Sequence, residues 1–212
     1  MPTNSSRQDI LQKIAAASNR RPAFIDTPLE CVNSIYKPIL PDAITCFCNE
    51  LEAINGKCIL CVDNSDLYSQ IEIFLLQRLI TSVYCRDSHI LHQLQIHGIA
   101  SSSDTFEFEN MQAGITGCDF LIARTGSVLI SSGAPSGRQM NVFPPIHIVI
   151  ANVSQLVDFT QEALDDIPLK YSDTLPSSMT LITGPSRTAD IEKTLILGAH
   201  GPKEFVVFLC KD

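Results

Sequence analysis

Nowhere in the chain does an apolar run approach the ~20 residues needed to cross a bilayer, so no membrane-spanning helix is expected. Basic charge is scarce as well. Against 23 Asp and Glu stand 15 Lys and Arg, a net charge of −8, which argues against nucleic acid or an anionic membrane as partner. The first nine residues, Met1 to Asp9, hold no basic start followed by an apolar core; the expectation is a protein without a secretory signal, in the cytoplasm. Three signatures are also missing. No GxGxxG follows a strand, no GxxxxGK[ST] occurs and no Ser-centred GxSxG is present, which removes the Rossmann fingerprint, the P-loop and the hydrolase nucleophile elbow. There is no internal repeat and no low-complexity tract.

Cysteine is not scarce: there are eight, and in a chain read as cytoplasmic they should be reduced and mostly buried. Cys58-Ile59-Leu60-Cys61 has the CxxC spacing. It falls in Lys57 to Val62, an apolar run suited to a parallel core strand. Residues three apart on a strand face opposite ways, so these thiols should not converge on one metal. Cys46 and Cys48 share a face if their stretch is a strand, but no second pair completes a zinc-like set. No CxxCxxC run offers an iron–sulfur cluster. The expectation is that this chain itself carries neither a metal nor another cofactor.

What the chain has in quantity is apolar residues, 45% of 212, enough for one domain or one domain with a small appendage. A helix is expected near the N-terminus with Ile10, Leu11, Ile14 and Ala15 on one face. Residues 19–41, with four prolines, read as an extended arm. Asp42 to Ile54 is a second helix or mixed segment, and Lys57 to Val62 a strand at the centre of the sheet. A helix on Leu67, Ile71, Phe74, Leu75 and Leu79 follows, capped by Asn64 or Ser65. Ser82 to Cys85 is a strand and Asp87 to His97 a helix. This alternation predicts an α/β fold with a mostly parallel sheet flanked by helices. Ala100 to Ser103 is a weaker strand and Glu107 to Ala113 is read as helical. Cys118 to Ala123 and Val128 to Ser131, joined through Thr125-Gly126, predict an antiparallel hairpin. Ser132 to Pro145 is a Gly/Pro/Ser-rich loop long enough to be functional. A strand at His147 to Ala151, a helix over Val153 to Ile167, and strands at Met179 to Ile182 and Glu204 to Cys210 complete the reading. Residues 1–55 are taken as an arm packed on the body and 56–212 as the α/β domain.

The candidate site centres on Thr183-Gly184-Pro185-Ser186-Arg187-Thr188-Ala189-Asp190, read as a strand, a turn and the start of a short helix running to Leu197. Gly184 lets backbone approach a ligand, Ser186 and Thr188 can cap a helix or donate to an oxyanion, and Arg187 can clamp a carboxylate or phosphate. The alternative is a well-capped turn with a solvated arginine, which Asp190 and Glu192 favour because they already complement the helix dipole. Thr125, Gly126 and Ser127 form a second polar turn, expected to share one cleft with the first at the carboxyl edge of the sheet. Arg138 is a mobile clamp within its loop. His200, between Ala199 and Gly201, is the acid/base candidate, with a backbone-bonded structural role equally open. His147 on its core strand reads as a satisfied buried histidine. His89, His92 and His97 read as a solvated face.

Gly117-Cys118-Asp119-Phe120-Leu121-Ile122-Ala123, Thr125-Gly126-Ser127, Pro144-Pro145 before Ile146-His147, Gly184 to Glu192, and Leu197-Gly198-Ala199-His200-Gly201-Pro202 together resemble the LUD-domain family, in particular its lactate utilization protein C type. The resemblance covers Ala113 to Leu209. It implies a fold like the NagB/RpiA/CoA-transferase group, and a part in oxidising L-lactate to pyruvate beside iron–sulfur partner subunits that carry the redox cofactors. Relatives often have an acid where this chain has Arg124; here an arginine could hold an acid substrate or lie exposed in its turn. Two function classes remain. One is an accessory or catalytic subunit of a lactate-oxidising complex, binding a small anion at the sheet edge. The other is a stand-alone enzyme or sensor of an acyl, phosphate or sugar-phosphate ligand. A homo-oligomer is compatible with either.

Overall fold

The computed structural model describes residues 4–18, 38–172, 174–188, 196–198 and 200–211. The chain divides into two units, 1–38 and 39–212. Among the described residues the first holds helix α1 (Asn4–Ser18). The expected arm falls mainly on residues 19–37, outside the described residues.

In the second unit three aspartates start three helices. Asp42 accepts from Thr45 N at 2.9 Å ahead of α2 (Ala43–Ala53). Asp63 accepts from Asp66 N at 2.8 Å ahead of α3 (Asn64–Gln77), so the cap is one residue earlier than expected. Asp87 accepts from His89 N and Ile90 N at 2.9 and 3.2 Å ahead of α4 (Ser88–Ile96). Each carboxylate satisfies amides that have no partner inside the helix and complements its dipole.

The strands are, in chain order, β1 (Lys57–Cys61), β2 (Val83–Cys85), β3 (Ser101–Ser102), β4 (Ala113–Thr116), β5 (Phe120–Ile122), β6 (Ser127–Ser131), β7 (Ile146–Asn152), β8 (Leu156–Val157), β9 (Met179–Ile182), β10 (Arg187–Thr188), β11 (Ile196–Leu197) and β12 (Glu204–Cys210). A fifth helix, α5 (Thr160–Lys170), lies between β8 and β9. Six strands form one sheet in the order β1-β12-β7-β4-β2-β3, every pair parallel. A second sheet runs β8-β5-β6-β9. In it β6 is antiparallel to both β5 and β9, and β8 is parallel to β5. The expected α/β class with a mostly parallel sheet and an added hairpin is what the chain forms.

Strand β12 shows why the sheet is sandwiched. Phe205, Val207 and Leu209 pack with Phe47 and Leu51 of α2 and with Leu121, Val128 and Ile130 of the second sheet. Val206, Phe208 and Cys210 pack on the other face with α3 and α4. The period of two delivers alternate side chains to two cores. A strand buried on both faces reads as a continuous apolar run, and Phe205 to Leu209 are all fully buried.

Several expectations are corrected. The sheet centres on β12 and β7. Strand β1 is an edge with only Cys61 buried, because parallel partners were legible while their order was not. Met179 and Leu181 of β9 are exposed; this apolar run is the edge of the smaller sheet. The segment expected to be helical from Glu107 is a 3₁₀ turn, Phe108–Asn110, followed by β4. Val153 begins a 3₁₀ turn and the short β8, and α5 starts only at Thr160. The helix expected from Ala189 lies mostly outside the described residues; its last two positions, Ile196 and Leu197, pair with Thr188 and Arg187 as strands. The CxxC thiols do face opposite ways: Cys58 packs on the α2 side and Cys61 on the α3 side. Cys46 and Cys48 lie on helix α2. A Cys48 hydrogen bond, then burial, push the Cys58 thiol up.

Candidate functional site

The two glycine turns do come together. Because β6 runs antiparallel to β9, the start of β6 faces the end of β9, and Ser127 Oγ lies 2.9 Å from Thr183 Oγ1. Their common neighbour is helix α2. Gly126 has φ +58°, and a Cβ there would collide with Leu51 N and Glu50 C. Gly184 has φ +78°, and its Cβ would sit 2.8 Å from Ile54 O. Arg187 Nη2 donates to the same Ile54 carbonyl, at the end of α2 where helix carbonyls lack internal partners. The close backbone approach that these glycines permit is thus an approach to the helix. Ile54 leads directly into β1, so the junction lies on the amino side of the parallel sheet, opposite to the carboxyl edge where parallel-sheet reasoning would put it. Asp190 and Glu192 lie outside the described residues.

From that junction the turn continues to a third loop. Ser186 N donates to Pro202 O at 2.8 Å, and Ser186 O accepts from Gly198 N at 2.9 Å. A Cβ on Gly201 would stand 3.0 Å from Ser186 Cβ. Lys203 N donates to Pro145 O at 2.8 Å, joining this loop to the end of the 132–145 segment. The result is a depression of about 380 Å³ lined by Val142, Phe143, Pro145, Gly198, His200, Gly201 and Lys203. His200 is exposed on its rim. A neighbouring hollow of about 620 Å³ shares Pro145 and Lys203 and includes Arg78 and Glu204. There Arg78 Nε donates to Glu204 Oε2 at 2.8 Å, and its guanidinium stacks 3.7 Å over Phe74. Arg78 is therefore neutralised, whereas Lys203 makes no ion pair among the described residues. Lys203 was not singled out from sequence, although it follows the His200-Gly201-Pro202 motif directly.

The other candidates are dispersed. Thr125 is exposed at the end of the 3₁₀ turn Ala123–Thr125, and Ser127 is buried with Oγ 3.3 Å from Thr125 O. Thr188 enters β10. Arg138 is exposed at the head of the 3₁₀ turn Arg138–Asn141, away from the lining of the His200 depression. Arg124 stacks 5.2 Å from the Phe159 ring, and its amide donates to Asp158 O at 3.3 Å. His147 is fully buried, 2.8 Å from Thr116 Oγ1 through Nε2, and burial pulls its pKa down to about 3. His97 stacks on Tyr68 with centroids 4.4 Å apart.

One polar network escaped sequence reading altogether. Asp119, nearly fully buried, accepts from Ser131 N at 2.6 Å, Tyr171 Oη at 2.7 Å and Lys170 Nζ at 2.8 Å. Burial raises its pKa, but Lys170, Tyr171 and the amide outweigh it and the net shift is downward. It ties the start of β5 to the end of α5 and holds no open position toward solvent. Among the described residues no three His, Cys, Asp or Glu side chains lie close enough to hold a metal ion. No helix among them is long and apolar enough to cross a membrane.

Residues 52–210 match the family model of the LUD domain. The chain belongs to the LUD-domain family. Among its relatives, lactate utilization protein C of Halalkalibacterium halodurans is 38% identical over 106 residues, 49% of this chain and 46% of that protein. The protein of the same name in Bacillus subtilis is 35% identical over 106 residues, 49% and 44% of the two chains. An uncharacterized protein of Neisseria meningitidis serogroup B is 36% identical over 100 residues, 47% and 42%. The chain spans less than half the length of these curated relatives. The crystal structure of a DUF162 family protein from Deinococcus radiodurans superposes with TM-score 0.61 at 18% identity, over 79% of this chain and 96% of that one. That likeness concerns the LUD-domain fold alone.

Proposed function

We propose that this LUD-domain chain serves lactate utilization as a subunit that holds a small carboxylate, while iron–sulfur partner subunits carry the electrons. The observation that carries the reading is the run of relatives named lactate utilization protein C at 32–39% identity. The His200 depression supports it in size and charge. Its walls, Val142, Phe143 and Pro145, are apolar, and Lys203 is a cation without an ion-pair partner among the described residues. An ammonium attracts a carboxylate as a point charge, and His200 lines the same depression as the candidate general acid or base. In this reading Ser186 and Gly201 position the loop. Arg187, Gly184, Gly126 and Ser127 fix the helix behind it. Thr125 and Thr188 remain outer candidates for contact with the ligand. Deleting the gene should abolish growth on L-lactate as sole carbon source, and the wild-type chain purified from lactate-grown cells should bring down an iron–sulfur protein. A His200→Ala/Lys203→Ala chain, present at normal level by immunoblot, should fail to restore growth. Unimpaired growth of the deletion strain on lactate would sink the proposal.

A further inference from the structure

At the opposite, carboxyl edge of the parallel sheet a second cation is held in a different way. Arg86 follows the last residue of β2. Its Nε donates to Tyr84 Oη at 3.2 Å and its Nη1 to Gln139 Oε1 at 3.0 Å. The guanidinium carbon stands 4.6 Å from the Phe108 ring centroid. All of these partners are neutral. No carboxylate among the described residues forms an ion pair with it. Its sequence neighbour Asp87 is committed to the first amides of α4. Nη2 has no hydrogen-bond partner among the described residues.

Arg86 is half-buried, and what holds it is neutral. Neutral acceptors and an aromatic face hold it in place without cancelling its charge. The cost of ordering the side chain is met before any ligand arrives, which leaves more of the contact energy for binding. The loop 132–145 brings the backbone of a second arginine alongside Arg86. Gln139 bonds to Arg86, and a Cβ on Gly137 would stand 3.8 Å from Arg86 Nη1. Arg138 lies between those two residues. The exposed Arg138 side chain can swing toward Arg86, and two guanidinium groups that approach repel unless an anion lies near both.

We propose that Arg86 and Arg138 form an oxyanion site at the carboxyl edge of the six-stranded sheet, taking a small carboxylate or phosphate with Arg86 as the fixed donor and Arg138 as the closing one. The basis is not the N-terminus of α4, whose amides Asp87 occupies. Nor does the inference depend on a role in lactate utilization, since phosphate binding alone would sustain it.

Trypsin gives a local readout, because Arg138 is exposed and precedes Gln139. The full chain is digested briefly in low-salt buffer free of other oxyanions, with sodium pyruvate or sodium phosphate added. Cleavage after Arg138 is followed by mass spectrometry against cleavage elsewhere. One of the two probes should slow that cut selectively, by about tenfold at ten times its Kd, and which probe does so distinguishes a carboxylate from a phosphate ligand. Arg86→Lys cannot reproduce the fork and should weaken protection by about tenfold or more; Arg86→Gln should abolish it. By calorimetry Arg138→Gln should weaken binding of the protecting probe by about threefold or more. Should Arg86→Gln fail to fold, Arg86→Lys and the exposed Arg138→Gln decide. No selective protection by either probe, or protection and affinity unchanged in Arg86→Lys and Arg138→Gln, would overturn the proposal.

Discussion

His147 has a consequence for stability that its distance from any surface hides. In the fold it stays neutral until about pH 3, because burial opposes the charged ring. In the unfolded chain it protonates near 6.5. Between those values the unfolded state binds the extra proton, so stability is complete above pH ~6.5 and falls as pH drops toward 3. The slope from this group should approach about 1.4 kcal/mol per pH unit in the middle of that window. Urea midpoints between pH 7 and 4.5 measure it, and His147→Gln should flatten the slope relative to wild type. An unchanged slope would mean that other groups carry the acid sensitivity. Asp119 adds its own term lower down. With a folded pKa below the ordinary carboxylate value, its stabilisation is present above pH ~4 and lost as pH falls further. Asp119→Asn should cost about 1–3 kcal/mol at pH 7, measured by urea unfolding. The cost is held to that range because its partner Lys170 is partly exposed.

Among the elements, α2 has a seat fixed through its own backbone. Two turns from the second sheet close on its backbone, and Arg187 reaches the carbonyl at its end. Gly98 provides the comparison: its φ is +73° but nothing lies within 4 Å of a Cβ built there. Gly98→Ala should therefore cost only the backbone strain, about 1 kcal/mol. Gly126→Ala should cost at least about 2–3 kcal/mol, because the helix itself must move. Equal costs in urea unfolding would remove the close approach as the reason for glycine. The same contrast explains what could be read from sequence. Strand, helix, strand, helix and a Thr-Gly hairpin were legible, since periodicity and turn chemistry are local. The glycines announced that backbone would come close but not whose. The closing groups, Leu51 and Ile54, come from 130 residues or so earlier in the chain than Gly184 (184 − 54 = 130). Lys203 and Arg86 were missed for a similar reason. One is distinguished by having no acid partner and the other by its neutral ones, and neither fact exists before the chain folds.

For the molecule as a whole, the boundary between arm and body is open to test. Residues 39–212 form one unit, and Phe47 and Leu51 of α2 are fully buried within its core. Burial of each such side chain contributes about 1.5–3 kcal/mol. A chain of residues 39–212 should therefore unfold cooperatively, whereas residues 56–212 should expose the α2-facing side of the sheet and bind hydrophobic dye without a sharp melt. A cooperative melt from the shorter chain would put the boundary after α2.

Strand β1 meets its partner β12 with Lys57 opposite Val206, a separation of 149 residues (206 − 57). On a ribosome adding ~5–20 residues per second, the interval between making the two is about 7–30 s. For all of that time the nascent chain presents β1 with no strand to pair with. It must be kept from other chains by α2 and α3, its neighbours in synthesis, or by a chaperone. The parallel sheet can only be assembled in full after Cys210 has been translated, so this chain's yield in a cell should depend on how quickly its ribosomes finish.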